Sequence, residues 1–460
     1  SAMPVGLHAM ELFGKVDEEN VLSKSAMNDL RNRNYKFKEV NDKHRCVKKF
    51  LAQKKKLKEK PANGCEEVDS SVDLVEAPER RVPKKCFDVK GKLYCAPLTT
   101  VGNLPFRRIV KDFGCDITCG EMALAGNILR GQPSEWALLK RHKSEDFFGV
   151  QIAGGHSDQL MKCVEVIQRE CNVDFIDLNC GCPIDLLCDK GMCSALIDRV
   201  PRLEEIVRGV KSIATVPFTL KTRIGKDAAK PTAHSLLPQI SDWGVDGLTL
   251  HGRSKKQRYT KDADWGYIGK CVEAVRATQH NNSNVPFIGN GDIYSFEQME
   301  EFMKLSNVDT VMIGRGALIK PWIFTELKEK RHWDISGSER FDILKSYVDY
   351  GLEHWGTDDK GIANTRRFLL EWMSFLHRYI PVGLYEVLPP KISQRPPLFR
   401  GRNDKEMMLA SPRVEDWVKL TEMYLGKAPA GFKFVPKHKS NAYTSSISSS
   451  ELFELLSNSK

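Results

Sequence analysis

Cys182 stands in the run Leu178-Asn179-Cys180-Gly181-Cys182-Pro183, where a glycine and a proline flank a thiol just beyond an apolar stretch. A thiol in a loop at the mouth of a cavity titrates near neutrality, which suits general acid work. The Cys-x-Cys spacing also invites a metal. A structural zinc takes four ligands, however, and Cys115, Cys119, Cys188 and Cys193 offer no standard paired spacing, so no metal is expected. Cys180 is read as packing or loop support.

Other apolar runs end in equally informative residues. Leu220-Lys221-Thr222-Arg223 places a lysine where burial is costly unless it meets an anion. A reduced flavin, negative around N1 and O2, is one such partner, and a structural ion pair is the alternative. His251-Gly252-Arg253 offers an imidazole for phosphate or flavin and a guanidinium for nucleic acid, with a satisfied structural histidine as the plainer reading. Gln151 closes its run with an amide that can match the donor and acceptor edge of an isoalloxazine or a uracil.

Gly289-Asn290-Gly291-Asp292-Ile293 and Ile313-Gly314-Arg315-Gly316 are two glycine-bearing loops on consecutive runs. Bare backbone N–H groups can approach an oxyanion there, and Arg315 adds a bidentate charge, so together they read as a phosphate site. Glycines that merely tighten turns are the alternative.

Strands must position these residues. Eight apolar runs alternate with helical patterns: Leu93–Leu98, Asp116–Met122, Phe147–Ala153, Val173–Leu178, Val216–Thr222, Val245–Leu250, Val285–Gly289 and Asp309–Ile313. Eight βα alternations in about 240 residues match an α/β fold of the (β/α)₈ TIM-barrel type over 92–335, with its site at the C-terminal mouth. A doubly wound sheet is disfavoured because no GxGxxG follows the first strand. Past Pro321 the strand signals stop. Phe341–His354, Asn364–Tyr379 and Val414–Tyr424 read as amphipathic helices of a small C-terminal helical domain over 336–426, and 427–460, with its serines, as a flexible tail.

Ahead of the barrel, 1–91 reads as a basic N-terminal arm, helical or partly disordered, and a linker. Thirteen Lys or Arg face three Asp or Glu between Arg31 and Lys60, and this window equals the whole chain's net charge of +10. Its apolar residues are too sparse to build a core, and the charge favours an anionic partner. RNA contact, a localisation signal and a solvated face stay open for it. Thirteen cysteines without regular spacing suggest reduced thiols. No apolar run approaches the ~20 residues of a membrane span, and the start lacks the features of a signal peptide. A soluble monomer of the cytoplasm or nucleus is expected.

Taken in order, these motifs resemble the tRNA-dihydrouridine synthases. The likeness rests on Ala96-Pro97-Leu98-Thr99 with Pro105-Phe106-Arg107 and on Leu178–Pro183 with Gly191 and Ser194-Ala195-Leu196. It extends to Lys221–Gly225, to His251-Gly252-Arg253 with Ala263-Asp264-Trp265, and to Asn290–Ile293. The resemblance runs from about Lys92 to Gly426 and is nearest to the eukaryotic branch acting on uridine 47 of the variable loop. It implies an FMN barrel with NADPH as reductant and tRNA as partner; other RNA remains open as a substrate.

Carried over by position, Pro97, Leu98, Thr99, Gln151, Lys221, His251, Asn290, Gly291, Asp292, Gly314 and Arg315 would contact FMN. Cys182 would be the catalytic acid, Asn179 would hold the base, and Arg223, Arg253, Arg366 and Arg367 would meet RNA. Arg378, Lys391, Arg395, Arg400 and Arg402 join the expected phosphate grip. Phe368, Trp372, Phe375 and Tyr379, at spacing 4-3-4, read as a core stripe rather than a base-stacking platform. Members of that branch carry Cys–His zinc fingers in a longer N-terminal region, whereas Cys46, Cys65 and Cys86 here stand far apart.

Two rivals deserve a test. Another FMN barrel, such as a dihydroorotate dehydrogenase, gives no reason for the basic arm. A flavin-free RNA-binding barrel gives none for Cys182, Lys221 and the two phosphate loops.

Overall fold

The computed structural model describes residues 17–59, 77, 79–278, 285–384 and 399–437. The serine-rich end, Lys391, Arg395, Cys65 and most of the expected linker lie outside the described residues.

All eight apolar runs form strands: β1 (Tyr94–Cys95), β2 (Ile117–Cys119), β3 (Phe147–Ala153), β4 (Phe175–Cys180), β5 (Phe218–Arg223), β6 (Gly247–His251), β7 (Phe287–Asn290) and β8 (Thr310–Ile313). Each pairs in parallel with its sequence neighbour, and β8 pairs with β1, so the sheet closes into the expected barrel. Alternate residues turn into the lumen, which is packed rather than hollow. Tyr94, Ile117, Phe175, Ile288 and Met312 fill its base together with Phe87 and Val89, which precede β1. Phe175 is the centre of that plug, with Phe87, Phe147 and Tyr94 edge-on at centroid distances of 5.1, 5.6 and 5.9 Å. Gly149 on β3 carries no side chain because a Cβ there would collide with the Phe175 ring.

The arm is helical, one of its two expected forms, but it is not separate from the barrel. Its helices α1 (Lys24–Arg31) and α2 (Val40–Glu59) are seated on the barrel. Leu22, Ala26, Leu30 and Val40 join the main core, and Asn20 is buried, donating to the Leu139 carbonyl at 2.9 Å and accepting from the Asn172 N–H at 2.6 Å. The apolar residues are indeed too few for a core of their own, but they add to one already present. Residues 87–89 also belong to the barrel base rather than to a linker.

Helices α3 (Leu104–Asp112), α4 (Ser157–Glu170), α5 (Val200–Lys211), α6 (Ala233–Trp243), α7 (Trp265–Thr278) and α8 (Phe296–Ser306) surround the ring. The arm's α2 lies on α4 and α5, where His44 meets Glu205 at 3.0 Å and Lys54 meets Glu204 at 2.6 Å. The C-terminal helices are α9 (Gly337–Trp355), opened by a Ser336/Glu339 capping box, α10 (Asp359–Leu376) and α11 (Val414–Leu425). The α10 aromatic stripe is core, as its spacing suggests: Trp372 is fully buried, donates to the Leu318 carbonyl at 3.0 Å and meets Phe106 of α3. The first part of the expected tail is also seated, since Lys437 donates to Thr100 Oγ1 at 3.0 Å and its N–H to Glu371 at 3.1 Å. Among the described residues no helix is long and apolar enough to cross a membrane.

One buried ion pair ties α3 to the barrel. Arg107 donates to Glu145 at 2.7 and 3.2 Å and to the carbonyls of Gly102 and Lys140, while Glu145 also accepts from Thr118 at 2.7 Å and from the His142 N–H at 3.0 Å. Glu145 is wholly inaccessible to solvent. Removing one partner leaves the other charge buried, at a cost of about 3–5 kcal/mol. Arg107→Met is therefore expected to unfold at a markedly lower denaturant concentration. Adding Glu145→Gln should recover part of the loss, and equal stability of Arg107→Met and wild type would refute the role.

Candidate active site

The last inward-facing residues of the strands collect at the mouth. Gln151 comes from β3, Asn179 from β4, Lys221 from β5, His251 from β6 and Asn290 from β7. Register sets them side by side: Asn179 is paired with Lys221, and His251 with both Arg223 and Asn290. Pro97, Leu98 and Thr99 follow β1 at the same rim, opposite Gly314 at the end of β8.

Cys182 lies two residues beyond β4. Asn179 Oδ1 accepts from the N–H groups of Gly181 at 3.1 Å and Cys182 at 2.9 Å, and Arg223 Nε donates to the Gly181 carbonyl at 2.7 Å. The loop is thus gripped from both sides. Cys193, packed with Cys182 and Met122 in one cluster, is the largest influence drawing the Cys182 thiol down to about 6 against the effect of burial, helped by the Ile184 N–H, Arg223 and Lys221. The nearness of Cys182, with burial, pushes Cys193 up, so of the two sulfurs Cys193 keeps the proton, and it donates to Met122 Sδ at 3.8 Å. Cys180 is fully buried and its thiol is pushed well up by burial, consistent with a packing role.

Positive charge dominates the mouth. Burial, with the like charge of Arg223, lowers the Lys221 ammonium to about 8, and its Nζ donates to Asn290 Oδ1 at 3.3 Å. Burial and four surrounding cations drive His251 well below its ordinary value, so its ring is neutral. Arg253 Nη1 lies 3.3 Å from His251 Nε2, and a guanidinium only donates. Nε2 is therefore the acceptor and the ring proton sits on Nδ1.

Three expected contacts are redirected. Arg253, read as facing nucleic acid, is buried, and its Nη2 donates to both carboxylate oxygens of Asp292 at 2.8 and 2.7 Å. Asp292, at φ +56°, also accepts from Arg315 at 3.2 Å and from the Ala263 N–H at 2.7 Å, so its carboxylate braces three loops and is saturated. Arg223 is redirected in part, its Nε donating to the carbonyl of Gly181 and its Nη1 to those of Ser254 and Arg258. Gly291, at φ +132°, brings the backbone so close to Ala263 that any Cβ would collide with it.

Farther away, Arg366 is buried inside the helical part, donating to Thr421 Oγ1 at 2.8 Å and to the carbonyls of Leu425 and Gly426, so it cannot meet RNA. Arg378 is also buried, and Arg402 is bound by Asp334 and Glu406. Arg367 and Arg400 remain exposed.

Sequence reasoning passed over Asp177, Thr219, Cys193 and Tyr259. Asp177 sits two residues before Asn179 on the same face of β4, which was the available signal. Tyr259 lies under the guanidinium of Arg315, 4.8 Å from its ring centre, where an aromatic face steadies the charge.

Comparison with known proteins places the chain among relatives. The family described as Dihydrouridine synthase (Dus) matches residues 94–375. A Xenopus tropicalis protein named tRNA-dihydrouridine(47) synthase NAD(P)(+)-like is 50% identical over 442 residues, covering 94% of this chain and 68% of that protein. Proteins of the same name from Homo sapiens and Oryza sativa are 56% and 51% identical, over 79% and 83% of this chain and 55% and 56% of their own lengths.

The Cys182 environment makes a direct prediction. In the ligand-free protein, alkylation of Cys182 by iodoacetamide, followed by peptide mass spectrometry, should rise with a midpoint near pH 6. In Cys193→Ala the midpoint should move up toward that of an ordinary thiol, because the largest lowering influence is gone. An unchanged midpoint would remove Cys193 from the site.

Proposed function

The chain belongs to the dihydrouridine synthase family, and from that premise we propose that it reduces the C5–C6 double bond of uridine in tRNA, at position 47, with FMN as resident cofactor and NADPH as reductant. The observation that supports this best is a perturbed thiol sharing one barrel mouth with a cluster of cations. Cys182 is drawn down to about 6 beside Lys221 and Arg223, with Arg315 across the same opening.

The residues present fit an anionic, flat cofactor. Arg315 Nη1 is buried without a partner while Nη2 is on Asp292, so one donor is left for a phosphate. A Cβ built on Gly314 would meet only Ala96 and Leu98, both at 3.8 Å, so the backbone there is open to approach. Gly291, Gly314 and Arg315 would hold the phosphate. Gln151, Lys221, His251 and Asn290 would hold the ring edge, with Pro97, Leu98 and Thr99 beneath it. Asp292 would act through Arg315 rather than by touching the cofactor.

When bound, FMN supplies the hydride that adds to C6 of the uracil. Cys182 holds the proton that goes to C5. A thiol at about 6 is mostly thiolate at neutral pH in the ligand-free chain. Each anion that enters beside Lys221 and Arg223 raises it, so Cys182 regains its proton as the site fills. Asn179 has one amide hydrogen beyond its link to Gln151, and this is the one it can offer the base. The target base must leave its stack, at a cost of a few kcal/mol, so the RNA has to be gripped. A cleft of about 360 Å³ beside the Cys182 loop, lined by Pro183, Asp185, Lys226, Lys255, Lys256 and Arg258, is suited to the flanking phosphates, with Arg367 and the basic arm farther out.

NADPH-dependent dihydrouridine formation on unmodified tRNA, mapped by position, is the primary test, and product at position 47 is expected. Cys182→Ala should keep flavin absorbance and RNA affinity but lose product, and normal yield in that variant would sink its role. Lys221→Ala should purify with less flavin or reduce it more slowly. A fully flavinated, fully active Lys221→Ala would remove the lysine from the cofactor site.

A further inference from the structure

Beneath the mouth runs a buried chain of hydrogen bonds whose direction is set at both ends. Asp177 Oδ1 accepts from Thr219 Oγ1 at 2.6 Å, and its Oδ2 accepts from Gln151 Nε2 at 2.8 Å. Gln151 Oε1 accepts from Asn179 Nδ2 at 2.7 Å. Asn179 Oδ1 then accepts from the backbone N–H groups of Gly181 at 3.1 Å and Cys182 at 2.9 Å. Asp177, Gln151, Asn179 and Thr219 are all buried, so water cannot repair a mismatch.

Side-chain amides are ambivalent and can present either end to a neighbour. Two members of the chain are not. The backbone N–H groups only donate, which requires an oxygen from Asn179. An ionised carboxylate only accepts, which requires the amide nitrogen of Gln151. These two demands agree on one orientation for both amides, with no link left facing its like.

We propose that Asp177 is a positioning residue for the reduction described above: its carboxylate fixes the sense of the Gln151–Asn179 relay and thereby holds the Cys182 loop in its reactive place. A neutral residue at 177 removes one of the two anchors, so the sense of the relay rests on the loop N–H groups alone and Gln151 turns over in part of the population. Asn179 must then turn over too, and its nitrogen would oppose the N–H groups of Gly181 and Cys182. The loop would shift, and Cys182 would leave the company of Cys193, Arg223 and Lys221, which together make it acidic.

The relay rests on the proposed function for its purpose, but it can be tested without RNA through the pH profile of Cys182 alkylation in the flavin-containing protein. Asp177→Asn should move the alkylation midpoint up by more than one pH unit. Gln151→Glu, which sets two carboxylates face to face, should do the same. The double variant Asp177→Asn/Gln151→Glu restores a donor opposite an acceptor at that link and still offers an oxygen to Asn179, so its midpoint should return to within half a unit of wild type. Such reciprocal rescue is not expected of a side chain that only fills space.

On tRNA, Asp177→Asn should lower kcat about tenfold or more with KM and flavin content within twofold of wild type. An unmoved midpoint in Asp177→Asn, a double variant no closer to wild type than the singles, or loss of flavin from Asp177→Asn would each overturn the proposal. Should Asp177→Asn alone fail to fold, Gln151→Glu and the double variant carry the same comparison. A wild-type protein that forms no dihydrouridine would sink the functional reading and leave the alkylation result standing.

Discussion

Two buried carboxylates, Asp177 and Asp292, are what the rest of the site depends on. Asp177 sits in the packed lumen, and Asp292 in the loop after β7 with its side chain 6% exposed, so each is held by the donors it collects, and those donors are the site. Asp177 gathers Thr219 and Gln151 from the two strands beside β4. Asp292 gathers Arg253, Arg315 and the Ala263 N–H, joining the loops after β6, β7 and β8. The first carboxylate orders amides and the second orders cations. Burial pushes Asp177 up to about 6 while Thr219, Gln151 and Lys221 pull against it, so its charge is held by its partners rather than by solvent.

Counting charge at the mouth explains why an anion belongs there. Lys221, Arg223, Arg253 and Arg315 converge on a space where Asp292 pairs with Arg253 and Arg315, Asp177 acts on Lys221 from beneath, and His251 is neutral. Burial lowers both Lys221 and Arg223, to about 8 and about 10, which is the mark of cations kept where they are costly. Such an excess persists in folded proteins mainly where a ligand offsets it. The same field acts on Cys182 and makes the thiol sensitive to whatever anion arrives.

Much of the barrel and its rim was legible because a closed parallel sheet turns a simple alternation into a ring. Gln151, Asn179, Lys221, His251 and Asn290 each stand at the end of an apolar run on its inward face, and the register then makes them neighbours. Asp177 and Thr219 were hidden one step earlier on their strands, where a polar residue inside an apolar run has no partner visible in one dimension. Arg253 and Arg366 are placed differently for a related reason: a lone arginine suggests solvent or phosphate, whereas these two are buried and held by Asp292 and by Thr421, Leu425 and Gly426 across the fold. Cys193 carried no signal at all. It takes φ +54°, a left-handed conformation usually left to glycine or asparagine, and its nearness to Cys182 comes only from the turn after β4.

The helical part is not an appendage hung on a finished barrel. Trp372 donates into the Arg315–Ile319 turn that follows β8, Tyr347 reaches Asn103 at the start of α3, and Lys437 returns to Thr100 just past Thr99. These contacts fall on the segments after β1 and β8, the two strands whose pairing closes the ring and whose ends form one wall of the mouth. Exposed charge on the helices, such as Arg367, is thereby tied through these contacts to the wall of the mouth. The proposed reduction of one base of a folded RNA at Cys182 would need that connection, because a small displacement between grip and thiol would forfeit the advantage of orientation.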